Sequence, residues 1–233
     1  MGIETLGKYA LHFGLGKKTG IELPSEKAGT VASRESLTTV RPGDVLNASI
    51  GQGVNNFTPI QIAKYISSIA NGGTVVNPTI IKSVLNSDGT ELSKEEIKNY
   101  TNERLGTETS DDGITVSAES IAIAKEGMRM AASEAGGTAY RVFKDFNIEV
   151  AGKTGSAEAG KDANGNDKVN AWFVCFAPFE NPEVAVVVMI ENGGHGNYAA
   201  EVSRDVLTQY FGMNLSTDVN ESTLAIPYVE QMR

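Results

Sequence analysis

Three extended runs crowd the last third of the chain: Ile148–Ala157, Asn170–Ala177 and Val184–Ile190. β-Branched and aromatic residues fill them, and short polar stretches join them. Parallel neighbours would need a crossover of a dozen or more residues, so the runs predict an antiparallel meander. Asn164-Gly165 suits a tight reversal in the first connection, Gly160 to Asp167.

Helical patterns surround these runs. Ile3, Leu6, Tyr9, Ala10 and Phe13 recur at helical spacing, with Gly14 as a C-terminal cap. Thr58-Pro59-Ile60-Gln61 joins an N-cap threonine, a first-turn proline and a glutamine three residues after the cap. Asn71-Gly72-Gly73 ends that helix. Further helices are predicted near Lys94–Tyr100, over Ser117–Ala135 and over Tyr198–Phe211. Residues 25–57 read as irregular, broken by Pro42, Gly43, Gly51 and Gly53, while Thr74–Val84 reads as a strand. The fold class is therefore α+β.

Composition narrows the function classes. The net charge of −9, with no Lys/Arg run, argues against a nucleic-acid surface. No window approaches eighteen consecutive apolar residues, so no membrane span is predicted, and Met1-Gly2-Ile3-Glu4 lacks the basic and apolar start of a signal peptide. One cysteine, Cys175, excludes an internal disulfide; in its apolar run it reads as a buried thiol. His12 and His195 are the only histidines, with no Cys/His cluster to hold zinc, and His195 reads as a solvent-facing loop residue. No Gly-x-Ser-x-Gly elbow occurs.

Ala151-Gly152-Lys153-Thr154-Gly155-Ser156-Ala157 carries the densest chemistry. Lys153 offers a compact charge with three donors, Thr154 a hydroxyl, and Gly155 room for close backbone approach. An ordinary solvent-facing strand would also accommodate them. A P-loop fails, because it needs glycine at Asn147 and a helix after Thr154. The dinucleotide fingerprint begun by Gly51 and Gly53 fails at Asn56. The calcium-loop mimic at Asp162, Asn164 and Asn166 fails at Asp167 and Phe173, leaving a turn.

Taken in order, several segments resemble the C-terminal part of the transpeptidase domain of class B penicillin-binding proteins. They are Phe13-Gly14-Leu15-Gly16, Thr19-Gly20-Ile21-Glu22-Leu23-Pro24, Gly43-Asp44, Ser49-Ile50-Gly51-Gln52-Gly53, Thr58-Pro59-Ile60-Gln61 and Ala70-Asn71-Gly72-Gly73. Gly127-Met128, Gly137-Thr138-Ala139, residues 151–157, Ala171-Trp172-Phe173 and Ala177-Pro178 complete the series. The resemblance implies a penicillin-binding/serine β-lactamase-like fold, an antiparallel five-stranded sheet with helices on both faces. Its N-terminal strands and nucleophile helix would be missing here. Residues 1–212 would be the C-terminal portion of that domain and 213–233 a tail.

The implied activity is serine acyl transfer, which cross-links peptidoglycan stem peptides and is blocked by β-lactams. Lys153 would belong to the catalytic network, the Thr154 hydroxyl would bind the substrate's terminal carboxylate, and Gly155 would let substrate lie along the strand. The backbone N–H of Ser156, where most relatives have threonine, would be an oxyanion donor. Trp172 reads as core packing. No cofactor or metal is implied. The expected partners are stem peptides, β-lactams and the cell-wall synthesis machinery, at the extracytoplasmic face of a bacterial membrane.

One departure matters. No serine has lysine three positions on, and no Ser-x-Asn occurs; Tyr100-Thr101-Asn102 mimics a variant of the latter in the wrong place. Both motifs precede Tyr9–Gly16 in relatives, so the chain is expected to begin downstream of them and to be inactive alone. Uncovered apolar surface would then favour self-association. A serine β-lactamase or D,D-carboxypeptidase fragment, or a non-enzymatic penicillin-recognition module, are the competing readings.

Overall fold

The computed structural model describes residues 2–105 and 113–213, with the side chains of 102–105 left aside. Helices α1 (Ile3–His12), α2 (Pro42–Ser49), α3 (Pro59–Ala70), α4 (Lys94–Leu105), α5 (Ala118–Ser133) and the single turn α6 (Tyr140–Phe143) precede the sheet. Strands β1 (Ala151–Lys161), β2 (Asp167–Ala177) and β3 (Val184–Ile190) follow, and α7 (Gly196–Tyr210) closes the order. The expected tail beyond Met213 lies outside the described residues.

The sheet is the predicted meander, antiparallel throughout in the order β1-β2-β3. Alternation on β2 divides the core. Ala171, Phe173, Cys175 and Ala177 face Ala199, Ala200 and Leu207 of α7, with Phe143 and Val150. Phe176, with Ala151 of β1, faces Ile66, Ile69 and Ala70 of α3, Ile121 of α5 and Phe13. Helices thus cover both faces, as an α+β layer fold requires. Burial pushes the Cys175 thiol up to about 12, so it is an inert core group.

Polar side chains hold the segments between helices. The Thr58 hydroxyl accepts from Gln61 N–H at 3.4 Å, and Gln61 Oε1 accepts from Thr58 N–H at 2.8 Å, the reciprocal cap that starts α3. The buried Gln61 amide also donates to the carbonyls of Lys17 and Ala28, each at 2.6 Å. Glu26 accepts from the N–H and hydroxyl of Thr19, at 2.7 and 2.6 Å.

Three expectations need correction. Residues 25–57 contain a helix, α2: Pro42 opens it, and Asp44 accepts the Arg41 N–H at 2.8 Å, so Pro42 and Gly43 are its first turn and Gly51 and Gly53 follow its end. Thr74–Val84 forms no strand. Side chains take its polar groups instead: Asn77 Oδ1 accepts from Lys64 at 2.7 Å, and the Glu22 carboxylate accepts from the Thr79 hydroxyl at 2.8 Å and Ile80 N–H at 2.9 Å. The first hairpin is also longer than predicted, since β1 runs to Lys161 and β2 starts at Asp167, with a register shift between Glu158 and Lys161. Asp162 closes it by accepting from the N–H groups of Asn164 and Asn166, at 2.8 and 2.9 Å.

Candidate active-site strand

The end of α5 sets where β1 begins. Ser133 Oγ donates to the Val150 carbonyl at 2.8 Å and accepts the Val150 N–H at 3.3 Å. Arg129, four residues earlier on the same helix, bonds Glu126 at 2.6 Å, Glu149 at 3.0 Å and Glu134. Those carboxylates hold its guanidinium above its ordinary pKa, and Arg129 in turn holds the Glu126 carboxyl below its own. Helix and strand entry are thereby fixed together.

After α5 the chain folds tightly back. A Cβ on Gly137 would lie 2.4 Å from the Met130 carbonyl oxygen, so only glycine fits, and Ala139 N–H donates to the Ala131 carbonyl at 2.9 Å. This carries Thr138 to the motif strand, where the Thr154 hydroxyl donates to the Thr138 hydroxyl at 2.9 Å. Thr138 lies in the Gly137-Thr138-Ala139 segment of the resemblance, and the fold is what brings it beside the motif strand.

Glycines in the motif serve different ends. A Cβ on Gly152 would come within 2.5 Å of the Phe173 ring and 2.9 Å of the Val174 carbonyl, so its absence permits packing inside the sheet. At Gly155 a Cβ would meet Trp172 Cβ at 3.2 Å, while the N-terminus of α7 presses in nearby: a Cβ on Gly196 would lie 2.9 Å from the Gly155 oxygen. Trp172 is half-buried, while the rings of Phe173 and Phe176 on β2 are fully buried.

Lys153 and Ser156 are exposed, and Thr154 and Gly155 half-buried. Lys153 Nζ donates to the Thr154 carbonyl at 2.7 Å, and Gln52 Nε2 donates to the Ser156 carbonyl at 3.2 Å. A strand residue's N–H and C=O project to one side, and residues two apart share it. These two carbonyls, taking donors from outside the ladder, mark the open edge of β1, which has β2 alone as its described neighbour. Lys153, Thr154, Gly155 and Ser156 are thus brought together along a strand edge that can accept a further extended chain. His195 is exposed at the N-cap of α7. Among the described residues no group of His, Cys, Asp and Glu is arranged to hold a metal ion.

Fold and strand together define an α+β layer protein with a Lys-Thr-Gly strand along an open sheet edge. Residues 1–209 match the penicillin binding protein transpeptidase domain, and the chain belongs to that family. Peptidoglycan D,D-transpeptidase MrdA of Haemophilus influenzae is 33% identical over 232 residues, spanning 92% of this chain and 34% of the relative. The structure of PBP2 from Pseudomonas aeruginosa superposes with a TM-score of 0.73 at 30% identity, over 90% of this chain and 44% of that one. PBP2 in its complex with MreC from Helicobacter pylori gives a TM-score of 0.65 at 26% identity, over 91% and 37%. The chain spans about a third of the length of these curated relatives: 34% and 37% of two MrdA proteins.

Proposed function

We propose that residues 151–157 form the substrate-binding wall of a penicillin-sensitive D,D-transpeptidase site, completed by a nucleophilic serine outside this chain. The open edge at Thr154 and Ser156, with Lys153 beside it, carries the reading. A stem peptide lies along that edge as an added strand. The serine oxygen attacks the carbonyl between its two terminal D-alanines, and the Ser156 N–H donates to the oxyanion that forms; one such donor is worth roughly 10²–10³ in rate. The Thr154 hydroxyl, now spent on Thr138, turns to the terminal carboxylate. Lys153 supplies positive charge to the network. The bond to the last D-alanine breaks, and an amine from a neighbouring stem displaces the serine to form the cross-link. β-Lactams acylate the same serine and remain there.

In this reading the protein acts at the extracytoplasmic face of a bacterial membrane, alongside the cell-wall synthesis machinery; a similar chain comes from a structure described as a peptidoglycan synthase complex. A fluorescent-penicillin gel tests it. This chain takes no covalent label, since no serine has lysine three positions on, whereas the same chain extended upstream does. Labelling of the isolated chain would sink the account of the nucleophile, and rapid loss of label from the extended protein would favour hydrolysis over transfer.

A further inference from the structure

Ser156 is held from a direction that the strand itself does not supply. Gln52, 104 residues earlier in sequence, places its amide on the Ser156 carbonyl at 3.2 Å. The turn that presents Gln52 is closed on every side. Its own N–H donates to the Asn47 carbonyl at 2.9 Å, and Gly51 N–H donates to Ala48 at 3.1 Å. Gly51 and Gly53 flank it with φ of 79° and 78°, backbone settings that favour glycine. Asn55 Nδ2 donates to the Gln52 carbonyl at 3.4 Å, while Asn55 Oδ1 accepts from Ala32 N–H at 2.8 Å. Thr30 and Asn56 then exchange two backbone bonds, of 2.7 and 2.9 Å. A flexible side chain is thus offered from a stiff mount.

We propose that Gln52 is a positioning residue for the Ser156 N–H, the oxyanion donor of the acyl-transfer reading above, on which this inference rests. The Ser156 carbonyl and N–H lie on the same open edge, where β2 gives no restraint to either. Anchoring the carbonyl limits rotation about residue 156 and keeps its N–H aimed outward before substrate arrives, so less reorganisation is left to the reaction. The first residue of α7 steadies the neighbouring position from the sheet face, with the Cβ site of Gly196 3.0 Å from the Gly155 nitrogen. Gln52 steadies the edge. A donor acting this way speeds the acylation step and leaves initial ligand binding nearly unchanged.

The test uses the full-length protein and a fluorescent penicillin, with the non-covalent dissociation constant and the acylation rate constant measured separately. Gln52→Ala is expected to slow acylation about tenfold, the worth of one net hydrogen bond, with affinity altered less than about threefold. Gln52→Glu keeps the shape and removes the donor, and shows the same loss. Gln52→Lys restores a donor of similar reach and recovers most of the rate. Wild-type acylation in Gln52→Ala overturns the proposal, as does a fully active Gln52→Glu, which would make residue 52 a spacer. Tighter binding with an unchanged acylation step also overturns it, because Gln52 would then be competing with the incoming strand. Wild-type protein that takes no label fails the acyl-transfer reading itself; labelled wild type with indifferent variants fails only the role of Gln52.

Discussion

The sheet half of the molecule and the loop-rich segment before it are built on different principles. Around β1–β3, order comes from alternation: Phe173 and Cys175 enter one apolar layer, Phe176 the other, and α7 and α3 close them. Between α1 and α3, and again after α3, order comes from single polar side chains that each bond more than one group of another segment. Gln61 bonds three of them, and Glu22 spans 58 residues to reach Ile80. Apolar layers distribute their stabilisation over many contacts. Polar clamps concentrate it, so one substitution can release a whole segment.

The largest expected effect lies in the sheet. Phe173→Ala removes a fully buried ring stacked 5.6 Å from Phe143, and should destabilise by about 4 kcal/mol in chemical denaturation. A loss below about 1 kcal/mol would mean that the layer does not act as one packed unit. Next comes Gln61→Leu, which keeps the volume but strips partners from Thr58 N–H and from the Lys17 and Ala28 carbonyls. About 3 kcal/mol is expected, with amide exchange rising in residues 17–28 before it rises in the sheet. Simultaneous loss of protection in both halves would erase the distinction between them. Thr58→Ala removes only the cap hydroxyl and should cost about 1 kcal/mol, read from the same denaturation curves.

The smallest effect is a pH response confined to the clamped segment. Partial burial pushes the Glu22 carboxyl up, but the bonds from Ile80 N–H and Thr79 outweigh it and leave its pKa below the ordinary value. A carboxyl depressed in the folded state contributes above its unfolded pKa, near 4.3, and that contribution fades as pH falls through the lower folded value. Exchange of the Ile80 amide, corrected for its intrinsic pH dependence, should therefore quicken at acid pH, and Glu22→Gln should flatten the response. An unchanged profile in Glu22→Gln would remove Glu22 as the clamp.

The same contrast explains what could be read from sequence. The three strands and α3, α5 and α7 announce themselves through alternation, helical spacing and the Thr58 cap, and Lys153 to Ser156 lie in one local stretch. α2 is hidden because Pro42 and Gly43 punctuate a loop as readily as they open a helix; only the Arg41–Asp44 bond decides. The β-branched run 74–84 looks like a strand, yet a strand needs a partner, and here side chains of Glu22 and Lys64 take that place. Thr138 and Gln52 meet the motif strand across 16 and 104 residues. Both residues lie in segments that carry the family resemblance, but their contacts with the strand are products of the fold.

Cys175 equips the molecule with its own chemical clock. It is the chain's single thiol, it sits near the C-terminal end of β2 directly opposite Gly152, and it is wholly shielded. A thiol reagent can react only when β2 parts from its surroundings, because the reactive species is an exposed thiolate. Modification rate against reagent concentration thus times the opening of the strand on which the Lys153–Ser156 edge is built. No introduced label is needed, and a ligand seated on β1 should register as a slower clock.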